Sequence, residues 1–165
     1  MSRTARPDTV SAIARQLMGE HAEGRAFAPL EGALRPPDLD AAYAVQRTLV
    51  GLLEDAGRGG VAGYKIAITS RAIQELVGID EPCGGVILAS TVHAGPAEIR
   101  RADFVRLGLE FELAVRLRAD MPAAAQPYTA ESVGPYIDAC MPAFELIEDR
   151  DADYASLDLA LAEQA

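Results

Sequence analysis

A chain of 165 residues is long enough for one domain with a real hydrophobic core. Half of it is apolar and 24% is charged, a globular composition and not a disordered one. The formal net charge of −10, from 25 acidic and 15 basic residues, argues against a nucleic-acid or anionic-membrane surface, since both need a basic face. An anionic ligand would be repelled at long range and would need a local cation such as a bound metal. Cys83 and Cys140 are the only cysteines and lack CxxC spacing. Neither a disulfide scaffold nor a zinc site is therefore expected, and a reducing compartment fits. The first nine residues lack the apolar core of a signal peptide, and no stretch approaches the ~20 apolar residues of a membrane span. These features predict a cytoplasmic protein.

From Thr9 to Glu20, Val10, Ile13, Ala14 and Leu17 follow the i, i+3, i+4, i+7 spacing of an amphipathic helix. Gly24 and Pro29 close that element. A second helix is predicted from Pro37–Asp38, where Pro and Asp suit a first turn, to a stop at Gly57, Gly59 and Gly60. Val61–Ile68 reads as a strand, and Thr69 or Ser70 can cap a short helix over Arg71–Val77. The Gly- and Pro-rich stretch from Asp80 to Ala102 predicts turns and brief strands.

Leu107–Leu117 is the clearest strand. A helix is expected over about Ala130–Ile137, another strand over Ala139–Glu148 and a final helix over Tyr154–Glu163. Two helices followed by short strands predict an α+β domain with a sheet in its core. The apolar segment holding Leu157, Leu159 and Leu161 runs to Ala165 without a cap, the pattern of a chain shortened at its C-terminus.

Side chains alternate across a strand, so Glu110 and Glu112 share one face, roughly 6.5–7 Å apart along the chain. Two like charges this close repel unless a cation sits between them, and a hard divalent ion needing oxygen ligands would serve. A solvent-facing strand edge would carry the same pair, and the strand alone favours that simpler origin. Glu145 lies in Ala143-Phe144-Glu145-Leu146-Ile147, which reads as a strand buried on both sides. A buried carboxylate is paired or coordinated. Either an ion pair with an arginine such as Arg150 or a third ligand for an all-oxygen magnesium or manganese site would satisfy it. Lys65 is the only lysine; the other 14 basic residues are arginines. Arginine does not give up its proton, whereas a desolvated lysine can, which makes Lys65 the candidate for proton transfer.

The run Gly63-Tyr64-Lys65-Ile66-Ala67-Ile68-Thr69-Ser70, followed by Gly78-Ile79-Asp80-Glu81-Pro82 and Gly85, resembles the 2-keto-4-pentenoate hydratase group of the fumarylacetoacetate hydrolase superfamily. This group includes 2-oxohepta-3-ene-dioate hydratases and 4-oxalocrotonate decarboxylases. Glu110-Phe111-Glu112 and Phe144-Glu145-Leu146-Ile147-Glu148-Asp149-Arg150 match its Glu-x-Glu and later glutamate. The ordered set is specific where each piece alone is weak.

The resemblance implies Mg²⁺ or Mn²⁺ held by Glu110, Glu112 and Glu145, an acid/base role for Lys65, and substrate contacts from Thr69 and Ser70. It implies N-terminal helices over residues 1–60, then a partial catalytic mixed β-sandwich roll over residues 61–165 within one structural domain, assembled as a homo-oligomer. The implied activity is a hydratase, a carbon–oxygen lyase acting on small 2-oxo or 2-enol carboxylic acids of aromatic meta-cleavage catabolism. Cys83 stands where the group's hydratases usually carry an acidic residue, which weighs toward the decarboxylase. A non-catalytic fragment serving only as an oligomerisation module is the reading from another class.

Overall fold

The structure is a computed structural model describing residues 7–152. The helix expected over Tyr154–Glu163 lies outside those residues. The predicted order of elements is otherwise present: α1 (Pro7–Ala22), α2 (Leu39–Asp55), β1 (Val61–Ala67), α3 (Arg71–Val77), β2 (Cys83–Leu88), β3 (Leu107–Leu117), α4 (Ala130–Val133) and β4 (Ile137–Glu148). The helix expected over 130–137 is shorter than predicted. Thr129 caps its four residues through a capping box, and Pro135 then tightens the chain into a 3₁₀ turn. That early end lets β4 begin at Ile137 instead of Ala139. No described helix is long and apolar enough to cross a membrane.

Two compact units divide the chain. One runs up to Val105 and resumes at Asp149; the other is Arg106–Glu148. The strands pair two by two among the described residues, β1 with β2 and β3 with β4, and both ladders are antiparallel.

In the first unit the apolar stripe of α1 (Val10, Ile13, Ala14 and Leu17) packs against Val45 and Leu49 of α2. Asp38 caps α2 by accepting from the Ala41 amide at 2.9 Å. Ser70 caps α3, and Gly78 ends it with φ +72, a left-handed geometry that suits glycine. A second cluster joins Ala42 to Ile68, Val77, Ile79 and Cys83. Tyr43 and Gln46, one turn apart on α2, hold the same peptide of β2. The Gly84 amide donates to Tyr43 Oη and the Gly84 carbonyl accepts from Gln46 Nε2, both at 2.9 Å. Helical side chains thus satisfy a peptide of β2 that its partner strand leaves unmatched.

Arg150 closes this unit. It and Asp151 both take positive φ, +48 and +65, and Arg150 is 2% exposed. Each such non-glycine residue costs on the order of 1–3 kcal/mol unless its surroundings over-determine it. Several contacts hold Arg150 there. Its carbonyl accepts from the Phe27 amide at 2.7 Å, its guanidinium lies 5.7 Å from the Phe27 ring centre, and Nη1 is 3.6 Å from Glu20 Oε2. That ion pair is longer than a charge-assisted hydrogen bond, so its attraction does little more than offset desolvation. Arg150→Met or Glu20→Leu alone, leaving one charge buried, should each lose about 3–5 kcal/mol in urea unfolding. The double variant should lose less than either single one; additive losses would show that the two groups act independently.

Candidate metal centre

β3 and β4 run antiparallel with Glu110 directly opposite Glu145, Phe111 opposite Phe144 and Glu112 opposite Ala143. Paired residues share a face, and so do residues two apart on one strand. The ladder therefore puts Glu110, Glu112 and Glu145 on one side of the ribbon and Phe111 and Phe144 on the other. One carboxylate oxygen from each glutamate lies within 4.8 Å of the others. Two carboxylates this close repel by about 1 kcal/mol in water, and more strongly where water is excluded.

One detail differs from the sequence reading. β4 is not buried on both sides: Phe144 is 63% exposed and Glu145 half-buried, while Glu110 and Glu112 are exposed. Within this unit β3 is the strand that pairs with β4. Among the described residues the donor set is three carboxylates with no sulfur or imidazole. Hard divalent ions of the magnesium, manganese or calcium type suit such a set, and a dication would offset most of its charge.

Lys65 lies on β1 in the first unit, opposite Gly85 and half-buried. Three residues later Ile68 takes φ +58, an outlier for a β-branched residue, and is 7% exposed in the core. The Gln74 side chain donates to its carbonyl at 2.9 Å. This strained turn ends the strand immediately before Thr69 and Ser70. Ser70 Oγ accepts from the Ile73 amide at 3.4 Å as a helix cap, and Thr69 is exposed. Cys83 is 1% exposed; burial pushes its thiol up, as does the nearby Glu81 carboxylate, and the Tyr43 hydroxyl opposes them. Sequence reasoning missed Tyr43 and Arg47, which share a cavity with Lys65. Their i, i+4 spacing on one face of α2 was visible, but nothing local linked that face to β1.

No family model matches the chain. It is 28% identical over 147 residues to a 2-keto-4-pentenoate hydratase of Burkholderia vietnamiensis, covering 89% of this chain and 55% of that protein. It is 31% identical over 147 residues to the TodF product hydratase of Pseudomonas putida, covering 89% and 54%. The chain thus spans about half the length of the curated relatives it matches. In fold it matches the 4-oxalocrotonate decarboxylase of Pseudomonas putida G7, solved with magnesium and adipate. That match has a TM-score of 0.85 at 18% identity and covers 99% of this chain and 61% of that one.

The cluster's repulsion generates a prediction. Glu112→Gln removes one of three crowded like charges, so the metal-free variant should melt a few degrees above the wild type. Mg²⁺ should raise the melting temperature of the wild type and leave the variant nearly unmoved. Scanning calorimetry with and without EDTA checks both signs. Equal Mg²⁺ shifts in the two proteins would remove Glu112 from the ligand set.

Proposed function

The chain belongs to the 2-keto-4-pentenoate hydratase group, and on that premise we propose that it is a divalent-metal-dependent lyase acting on small 2-hydroxy-2,4-dienoate or 2-oxo-enoate acids. The observation that carries the proposal is the convergence of Glu110, Glu112 and Glu145. These three residues would hold Mg²⁺ or Mn²⁺. Such an ion, when bound, supplies Lewis-acid polarisation of a 2-oxo carboxylate.

Lys65 is the proton carrier in this reading, because the chain's other long cationic side chains are arginines and stay charged. It takes the proton from the substrate's enol oxygen and returns it to a chain carbon, giving the conjugated 2-oxo-enoate. Water then adds across the remaining double bond, hydroxyl to C4 and proton to C3, to yield a 4-hydroxy-2-oxo acid. Thr69 and Ser70, in the turn after β1, are proposed as substrate contacts through the groups that helix capping leaves available.

One observation favours a decarboxylase as the second reading. Cys83 is buried with its thiol pushed up, so that position offers no ionised group to activate water. Loss of carbon dioxide needs no such group.

Ultraviolet loss of a 2-hydroxy-2,4-dienoate, with products identified, separates the two readings. A 4-hydroxy-2-oxo product marks the hydratase; carbon dioxide released from a 2-oxo-enedioate marks the decarboxylase. Lys65→Met is expected to keep the Mg²⁺-induced rise in melting temperature and to lose turnover by a factor on the order of 10²–10⁴. Unchanged turnover would take Lys65 out of the reaction.

A further inference from the structure

The ladder with β2 holds β1 as far as Ala67, opposite Cys83, and Ile68 is the first residue beyond it. Glycine would take the left-handed turn at Ile68 without strain. The Ile68 side chain, however, is buried in the cluster with Ala42, Val77, Ile79 and Cys83. The core needs the isoleucine, and the turn needs a backbone that isoleucine resists. Such a conformation persists only where its surroundings over-determine it. Gln74, at the fourth position of α3, is one of the groups that do so. Its side-chain amide reaches back six residues and donates to the Ile68 carbonyl at 2.9 Å. Its own backbone is tied on both sides. The Gln74 amide donates to the Ser70 carbonyl at 3.0 Å, and the Gln74 carbonyl accepts from the Gly78 amide and, at 3.2 Å, from the Ile79 amide. Thr69 and Ser70, both exposed, lie in the stretch that Gln74 spans.

We propose that Gln74 is a positioning residue: through the Ile68 carbonyl it holds the turn that sets Thr69 and Ser70 for contact with substrate. The proposal deepens the lyase reading and rests on it for the role of those two residues. The cap from Ser70 Oγ to the Ile73 amide, at 3.4 Å, is long for a hydrogen bond and clamps the turn poorly by itself. Lys65 lies further back on β1, where the ladder pairs it with Gly85, so its backbone is held whatever the turn does. Loss of the Gln74 donor should therefore disturb how substrate is held and leave proton transfer in place. In kinetic terms it should raise KM and spare kcat.

The test compares Gln74→Met and Gln74→Glu with the wild type, each as the full chain. Methionine keeps the length and the helix propensity but donates nothing, and an ionised glutamate sets a carboxylate against the carbonyl. Backbone chemical shifts of Ile68, Thr69 and Ser70, which report φ and ψ, should move in both variants while those of α1 and α2 stay. Lowering the pH from about 7 toward about 5 should return the Glu variant's shifts part of the way, because a protonated carboxyl regains an O–H to donate. The Met variant's shifts should not return. With a 2-hydroxy-2,4-dienoate, Gln74→Met should raise KM roughly tenfold, the value of one lost hydrogen bond, with kcat held within about twofold. The Mg²⁺-induced rise in melting temperature should match that of the wild type. Wild-type shifts at Ile68–Ser70 in Gln74→Met would overturn the proposal and leave the lyase reading untouched. A Glu variant that does not respond to pH would overturn it as well, by showing that the donor is not what matters. So would an unchanged KM, or a kcat that falls as far as KM rises. A wild type without turnover would sink the lyase reading, and the substrate role of Gln74 with it; the shifts would still report its hold on the turn.

Discussion

Three like charges held within 4.8 Å of one another are the arrangement to which the remaining features of the Arg106–Glu148 unit answer. They arise from two constraints of antiparallel pairing. The period of two puts Glu110 and Glu112 on one face, and the register sets Glu145 opposite Glu110. A slip of one residue in β4 would send Glu145 to the other face and put Phe144 among the carboxylates. The register is held by the packed Phe111–Phe144 pair, with ring centres 5.1 Å apart on the opposite face. The ends of the ladder are held by polar contacts: Arg116 with Asp138 at 2.7 Å, and the Arg106 amide with Glu148 at 3.1 Å. Aligning like charges this closely costs about 1 kcal/mol per pair in water, which a dication would offset.

The first unit shows a related economy. Its sites of backbone strain, Ile68 and the Arg150–Asp151 pair, sit at ends of segments and not inside them. Ile68 is held by core packing and by the Gln74 side chain. Arg150 is held by Phe27 and Glu20. Strain of this kind persists only where its neighbours outweigh it. At Ile68 it turns the chain directly after the strand that carries Lys65.

Much of this was legible in the sequence, for reasons that can be named. α1, α2 and α3 follow from apolar spacing and from Asp38, Ser70 and Gly78 as caps and stop. The shared face of Glu110 and Glu112 follows from alternation alone. Their meeting with Glu145 did not follow from local pattern, because register depends on the intervening loop and on the early end of α4. The expected burial of β4 failed because alternation describes which residues share a face and not what covers it. Arg150's left-handed turn, which sets its guanidinium beside Glu20, had no signal in the sequence. Arg47 gave no signal at all, since its place depends on α2 meeting β1 and β2 further along the chain.

The central claim is that Glu110, Glu112 and Glu145 together bind one divalent ion. Anomalous diffraction from crystals grown with Mn²⁺ tests it most directly. The account predicts a single strong peak among the three carboxylates, at oxygen distances of about 2.0–2.3 Å. Peaks only elsewhere, or none with the three side chains turned apart at saturating Mn²⁺, would contradict it.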